Sequence, residues 1–309
     1  MRQPVNNFQR CALSAFGSRH RFRRVTLAIT PSFEVHGPLN PVSPVLLSVP
    51  HAGREYPDAM REALALPVSG LIQLEDRHVD AVAMAARRFE TTIVARRARA
   101  WIDLNRAEDA RDPLIDRGAP SRGHDEPLSL KLRSGLGLVP RRAGARGDIW
   151  RRMLSDAEIR QRIEADHRPY HQAVGQALAA ARERFGVAVL LDIHSMPPLG
   201  SAQDTPRIVL GDRFGKSAGA RLVSRADAVA NAWGFRTALN SPYAGGYVLD
   251  RHGAPKDHIH AIQIEFDRSL YLDDRLLVPG PGLGRAAAML RALIDALCEE
   301  AVPAPLAAE

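Results

Sequence analysis

Short runs of consecutive apolar residues recur along the chain, separated by longer segments whose apolar residues follow helical spacing. Such short runs, bounded by turn-forming residues, are typical of strands buried on both faces of a sheet. We predict strands at the runs VLLSV, TTIVA, AWIDL, VAVLLDIHS, RIVLGD and AIQIEF. The intervening segments predict helices over about residues 76–89, 155–184, 216–233 and 285–300.

The alternation of strands and helices predicts an α/β fold, in which a mixed, mostly parallel sheet has helices on both faces. We expect a flexible basic arm over residues 1–32 and a single domain over residues 33–309. The segment 106–149 is too long for a plain connection, so we interpret it as a functional loop insertion. Ser155 and Glu158 match a capping box, and Pro169 predicts a kink in the helix that follows.

Composition and charge narrow the class of protein. The chain has 309 residues, 45% of them hydrophobic, which suffices for a sizeable core, and its formal net charge is +7. Much of that charge lies in the first 24 residues, and no interleaving of aromatic and basic residues is present, so we expect no nucleic-acid partner. There is no long apolar run, no secretory signal pattern and no disulfide framework, so we expect a cytoplasmic protein without membrane contact.

Ionisable residues stand where three predicted strands end. His51 follows VLLSV, His194 lies at the end of VAVLLDIHS, and Glu265 lies at the end of AIQIEF. A parallel sheet brings the carboxyl ends of its strands together, so these side chains are expected to converge. Two imidazoles and a carboxylate with one open position are typical of a catalytic zinc site. Candidates for the third ligand come next along the chain, at a predicted helix start, namely Glu75, Asp76, His78 and Asp80, although acids at a helix start are also common as caps.

Other motifs offer competing chemistry. His167 and His171 share a helical face, but Pro169 stands between them and the glutamate of an HExxH motif is missing, so we interpret them as pocket or packing residues. GDRFGKS is one residue too short for a phosphate loop. GKSAG matches the nucleophile-elbow pattern around Ser217, although six residues separate this serine from the apolar run RIVL, and an elbow serine directly follows its strand. A serine-type amidase or esterase is therefore an alternative, as is a non-catalytic basic binding protein.

Eight segments resemble, in chain order, the motifs of the N-formylglutamate amidohydrolase family. They are SVPHAGREYP, EDRHVDAVA, WIDLNRAEDARDP, GLGLVP, HRPYHQA, LLDIHSMPP, SPYAGGYVLDRHG and HAIQIEFDRSLYLDD. The resemblance implies a zinc-peptidase (phosphorylase/hydrolase)-like fold, similar to carboxypeptidases. It also implies hydrolysis of an N-formyl or N-acyl amino acid, most simply N-formyl-L-glutamate to formate and L-glutamate.

The resemblance further implies a metal site and a base. His51 and His194 match the metal-binding histidines, Asp76 matches the acid that we take as third ligand, and Glu265 matches the general base. The implied cofactor is one Zn²⁺ ion.

A second group of residues is implied to bind a small carboxylate substrate. Asn105 and Arg106, in DLNR, match the pair that holds the substrate carboxylate and polarises the scissile carbonyl. A guanidinium is a planar fork suited to a carboxylate, although a salt bridge to a neighbouring acid is the simpler role. Further candidates for the substrate pocket are Gly137, His171, Ser195 and Gly246. We expect a monomer or a small homo-oligomer.

Overall fold

The computed structural model describes residues 31–120, 129–200 and 205–302. The strands in these ranges are β1 (Phe33–His36), β2 (Val45–Val49), β3 (Thr92–Ala95), β4 (Ala188–Met196), β5 (Ile208–Gly211), β6 (Thr237–Leu239) and β7 (Ile259–Asp267). The α-helices are α1 (Asp58–Ala63), α2 (Val79–Ala86), α3 (Leu130–Arg133), α4 (Asp156–Arg162), α5 (Arg168–Phe185), α6 (Ala220–Ala232), α7 (Tyr247–His252) and α8 (Leu283–Ala301).

The seven strands form one sheet in the order β1-β3-β2-β4-β7-β5-β6. Strands β3, β2, β4 and β7 are mutually parallel, and β5 pairs parallel with β6. The β1–β3 and β5–β7 pairs are antiparallel. The predicted mixed, mostly parallel sheet is therefore confirmed.

Helices cover both faces of this sheet, as predicted. Side chains alternate along a strand, so Leu190 of β4 joins one hydrophobic core while Leu191 joins the other. The first core includes residues of α4 and α5, such as Ile159 and Leu178. The second includes residues of α2, α6 and α8. Strands β2 and β4 are buried along their whole length, which is why their sequences read as continuous apolar runs.

One predicted strand is wrong. The run AWIDL forms no strand, because the backbone turns where the amide of Trp101 donates to the carbonyl of Ala98. Ile102 and Leu104 nevertheless pack into the first core. The apolar pattern here reflects burial within a loop. A buried strand and a packed turn give the same pattern. The helix predicted over 76–89 is also shorter, since α2 begins only after His78, whose φ is 57°.

The helix predicted after Ser155 is divided in two. Its capping box is present, with the hydroxyl of Ser155 accepting from the amide of Glu158. A π-helical turn, Ile163–His167, separates α4 from α5. Pro169 lies in the first turn of α5, where its missing N–H costs no helical hydrogen bond. The interruption therefore precedes the proline. Helix α5 ends at Phe185 and is capped by Gly186, whose φ is 75°.

Two predicted segments are only partly described. Of the predicted insertion 106–149, residues 121–128 lie outside the described residues, and the remainder contains α3 and a 3-10 turn, Gly144–Arg146. Most of the predicted N-terminal arm, residues 1–30, also lies outside them. None of the described helices is long and apolar enough to cross a membrane.

Candidate metal centre

Three side chains from separate elements meet at the carboxyl ends of the central strands. His51 follows β2, His194 lies near the end of β4, and Asp76 precedes α2. One potential ligand atom from each lies within 4.8 Å of the others, and each residue is at most 3% exposed. Oδ2 of Asp76 is 2.8 Å from Nδ1 of His194 and 3.6 Å from Nδ1 of His51. The three residues form a compact set of donors that can hold a metal ion.

A buried carboxylate stands behind each imidazole. Nε2 of His51 donates to Oδ1 of Asp103 at 2.6 Å, and Nε2 of His194 donates to Oδ2 of Asp192 at 2.9 Å. With Nε2 of each ring directed at its carboxylate, Nδ1 of both rings faces Asp76. Pairing of a metal-binding histidine with a carboxylate is the usual arrangement in metal sites. The donor set, two imidazole nitrogens and one carboxylate oxygen, fits the requirements of zinc.

The electrostatics of the cluster favour the charged forms of Asp76 and His194. Burial alone would raise the pKa of Asp76, but hydrogen bonds from His194 and His51 lower it. Burial opposes protonation of His194, but Asp192 and Asp76 raise its pKa well above the ordinary value. A buried cluster in which two histidines face several carboxylates attracts positive charge, whether as a proton or as a metal cation.

Asp76, and not the adjacent Glu75, faces the two histidines. Glu75 accepts a hydrogen bond from the hydroxyl of Tyr56 at 2.5 Å and one from Arg77 at 2.7 Å. Its carboxylate is therefore occupied away from the cluster. Geometry thus separates two candidates that the sequence left open.

Glu265 lies next to this cluster on the neighbouring strand. In the parallel pairing of β4 with β7, Glu265 is the register partner of His194. Gln263 donates to its Oε1 at 3.0 Å. Burial raises the pKa of Glu265 to about 7, although the nearby His194 lowers it. A carboxyl group with a pKa near neutrality is suited to take up and release a proton.

A cavity of about 500 Å³ opens above these residues. His51, Asp76, His194 and Glu265 all contribute to its wall. The charged residues that also line it are cationic, namely Arg99, Arg106, Lys131 and Arg268. A positively charged cavity beside a possible metal site is suited to a small anionic molecule.

Asn105 and Arg106 lie in the cavity wall. The amide nitrogen of Asn105 is 3.3 Å from Nε2 of His194, and its Oδ1 accepts from the backbone of Val248. The guanidinium of Arg106 donates to the carbonyls of Leu136 and Asn105. Its Nε forms a long ion pair of 3.9 Å with Oδ2 of Asp103, and because both side chains are buried this is not a surface salt bridge. These contacts hold both side chains at the cavity without neutralising Arg106 by a close carboxylate.

The other predicted pocket residues divide into two pairs. Ser195 and Gly246 line the cavity. Gly137 does not: it packs against the carbonyl of Ala110, and its neighbour Leu136 lines the cavity instead. His171 also lies outside the cavity wall, within the core behind the DLNR loop. Only Ser195 and Gly246 therefore lie in the cavity wall.

His171 instead supports the DLNR loop. Its Nε2 is 2.9 Å from the carbonyl of Leu104, and its Nδ1 is 3.0 Å from Nε2 of His252. On the other side of Asn105, Nε2 of His167 donates to the carbonyl of Arg106. Burial lowers the pKa of His171 to about 2 and that of His252 to about 4, so both rings are neutral. In this structure the two histidines of the HRPYH motif therefore pack against the DLNR loop and do not line the cavity.

Ser217 has contacts of a structural kind. Its hydroxyl donates to the carbonyl of Ala261 at 2.8 Å, and the residue is 1% exposed. It lies in the turns between β5 and α6, not directly after the strand. This arrangement gives the nucleophile-elbow interpretation no support.

Several residues of the cavity were not found from the sequence. Arg99 donates to Oδ2 of Asp103 at 2.9 Å, and Arg268 contacts Ser195 and the carbonyl of Glu75. An isolated arginine in an arginine-rich chain carries no signal of its own. The carboxylate of Asp192, in contrast, was visible in the motif DIHS, two residues before a predicted ligand.

Comparison with known proteins gives a consistent result. The family model described as N-formylglutamate amidohydrolase matches residues 43–272. An N-formylglutamate deformylase of Pseudomonas putida is 32% identical over 239 residues, which cover 75% of this chain and 82% of that protein. One from Pseudomonas aeruginosa is 30% identical over 240 residues, with 75% and 83% covered.

A solved structure is similar over nearly its whole length. The crystal structure of N-formylglutamate amidohydrolase from Ralstonia eutropha JMP134 superimposes with a TM-score of 0.77 and 30% identity. The match covers 88% of this chain and 98% of that one. By sequence and by fold, this chain belongs to the N-formylglutamate amidohydrolase family.

Proposed function

We propose that this protein is a zinc-dependent amidohydrolase that cleaves the amide of an N-formyl or N-acyl amino acid. The first candidate substrate is N-formyl-L-glutamate, which water would convert to formate and L-glutamate. The observation that carries the proposal is the meeting of His51, Asp76 and His194 beside Glu265 in a cation-lined cavity. The relatives named N-formylglutamate deformylase support the choice of substrate.

The residues fit the requirements of amide hydrolysis. His51, Asp76 and His194 would hold one Zn²⁺, which as a Lewis acid polarises a carbonyl and makes water more acidic. Asp103 and Asp192 hold the two imidazoles in the orientation that this requires. A formamide carbonyl is a weak electrophile, so activation of both the carbonyl and the attacking water is needed.

Glu265 is proposed as the general base. Its pKa, raised to about 7 by burial, allows the carboxylate to accept a proton from water near neutral pH. The same carboxyl group can then deliver that proton to the nitrogen of the leaving amine. Gln263, which donates to Oε1, holds the side chain in place.

Asn105 and Arg106 are proposed to bind and orient the substrate. The guanidinium of Arg106 faces the cavity and offers a planar pair of donors to a carboxylate. The amide of Asn105, close to His194, is placed to donate to the oxygen of the scissile carbonyl. Ser195 and Gly246 complete the nearby wall.

Purified protein should be tested against a panel of N-formyl and N-acetyl amino acids, with elemental analysis of the same sample. We expect about one zinc per chain, release of formate from N-formyl-L-glutamate, loss of activity on chelation and recovery with Zn²⁺. Full activity in metal-free protein would contradict the proposal.

The alternatives give different results in this assay. A serine hydrolase would ignore the chelator and would be inactivated by Ser217→Ala, whereas we expect that variant to retain its activity. A non-catalytic binding protein would fold normally and release no formate from any member of the panel.

A further inference from the structure

Three of the four cationic side chains in the cavity wall are held by protein groups. Arg99 pairs with Asp103 at 2.9 Å. Arg106 donates to two backbone carbonyls. Arg268 donates to the hydroxyl of Ser195 and to the carbonyl of Glu75. These arginines have little freedom to change partner when a substrate enters.

Lys131 differs from the three arginines. It stands on the short helix α3, within the segment 106–149, and is an exposed residue that lines the cavity. Among the described residues, its ammonium group has no hydrogen bond or ion pair. Partial burial, followed by the positive charge of Arg106, lowers the pKa of Lys131 to about 8. Of the four cations that line the cavity, Lys131 is therefore the one whose side chain has no hydrogen-bond or ion-pair partner among the described residues.

A lysine is an uncommon residue in this chain, which makes its presence at position 131 distinctive. Of 42 basic residues only three are lysines, and the other two, Lys216 and Lys256, lie outside this cavity. An ammonium is a compact charge on a flexible stem, so it can follow a carboxylate at the end of a side chain without fixed geometry. A guanidinium suits the fixed, bidentate contact that Arg106 is proposed to make.

We propose that Lys131 is a specificity-determining residue that binds a second carboxylate, the one on the side chain of the N-formyl amino acid. Arg106 binds the first, the α-carboxylate. Together the two cations therefore select a substrate that carries two carboxylates. This assignment rests on the proposed function and adds to it the origin of the preference for an acidic side chain.

The test compares two substrates of equal size. N-formyl-L-glutamate carries the side-chain carboxylate, and N-formyl-L-glutamine replaces it with a neutral amide. Wild-type protein should prefer the glutamate substrate in kcat/KM by roughly 10- to 100-fold, the range of one hydrogen-bonded charge contact. Lys131→Met should reduce this preference to about twofold or less, almost entirely through the glutamate substrate. Lys131→Arg, which keeps the charge, should retain part of the preference.

Lys216→Met is the matched control, because it removes an exposed lysine outside the cavity. It should leave the substrate preference unchanged. An equal loss on both substrates in Lys131→Met, or an unchanged preference, would overturn the assignment while leaving the proposed function intact. Wild-type protein that hydrolyses neither substrate would overturn both. Thermal unfolding of each variant shows that the comparison is made on folded protein.

Discussion

The imidazole of His51 donates through Nε2 to Oδ1 of Asp103, 2.6 Å away and 52 positions later in the chain. Asp103 is wholly buried and also accepts from Arg99 and from the backbone of Asn105. The same carboxylate therefore orients a candidate metal ligand and fixes the start of the loop that carries Asn105 and Arg106, the candidate substrate-binding residues. The candidate metal site and the candidate substrate site are joined through this one side chain.

Replacing Asp103 with asparagine should weaken metal binding. We expect the apparent affinity for Zn²⁺ to fall by roughly 10- to 100-fold, because the amide is a poorer acceptor for the N–H of His51. Competition with a zinc chelator measures the affinity. Asp192→Asn should act similarly through His194, and Asp295→Asn, which changes a half-exposed carboxylate on α8, should have no effect. Zn²⁺ affinities within twofold of wild type in both Asp103→Asn and Asp192→Asn would contradict this role.

Glu265→Gln should separate metal binding from turnover. The amide keeps the size of the side chain but cannot accept the proton of water, so kcat should fall by roughly 10²- to 10⁴-fold. Metal content, measured by elemental analysis, should stay at the wild-type level. Glu55→Gln alters a carboxylate that pairs with Arg96 and Arg97 outside the cavity, and it should leave kcat unchanged. A near-normal rate in Glu265→Gln would remove this residue from the role of base.

Gly246→Ala should displace Asn105. A Cβ at position 246 would lie 2.4 Å from Oδ1 of Asn105, which is closer than real contacts allow. A displacement of about 1 Å at a positioned group can cost about 10²-fold, so kcat/KM should fall by 10- to 100-fold. Gly284→Ala adds the same methyl group on α8 where no atom lies within 4 Å, and steady-state kinetics should show no change. Unaltered kinetics in Gly246→Ala would show that Asn105 tolerates the displacement.

The buried histidines should make the fold sensitive to acid. The pKa of His171, about 2 when folded, lies below the ordinary value of 6.5, so the unfolded chain binds one more proton between these values. The stability that this neutral ring contributes is complete above pH 6.5 and is lost as the pH falls towards 2. The slope is about 1.4 kcal/mol per pH unit for each such histidine. His252, with its pKa of about 4, contributes similarly down to that pH.

Urea unfolding between pH 4 and 6 measures this slope. His171→Gln should reduce it by about one proton, since the titrating ring is gone. His258→Asn removes an exposed histidine and suits the left-handed φ of 59° at that position, so it should leave the slope unchanged. An equal slope in wild type and His171→Gln would show that the ring titrates alike in both states.

The sequence was most informative where a strand is buried on both faces. Strand β2 has the bounds of its predicted run, and β4 and β7 differ from theirs by one or two residues at each end. The topology then brings His51, His194 and Glu265 to the same edge. Their convergence follows from a parallel sheet, which the alternation of elements predicts.

The remaining parts of the site depend on the course of loop segments, which hydrophobic periodicity does not predict. The run AWIDL turns instead of extending, and that turn carries Asp103 under His51. Lys131 reaches the cavity from a segment with little regular structure. Short strands such as β6, with three residues, are also too brief to give a pattern. Contacts across such loops are set by tertiary packing, so a single sequence does not reveal them.

The pairing of His194 with Glu265 across β4 and β7 has a consequence for how such a protein can diversify. Their spacing is set by backbone hydrogen bonds in the middle of the sheet, where strands stand about 4.8 Å apart regardless of the loops. Lys131 and Arg106 belong to a connecting segment whose length and sequence can change without disturbing the sheet. A new substrate preference can therefore arise through this segment while the candidate metal ligands and the proposed base keep their positions.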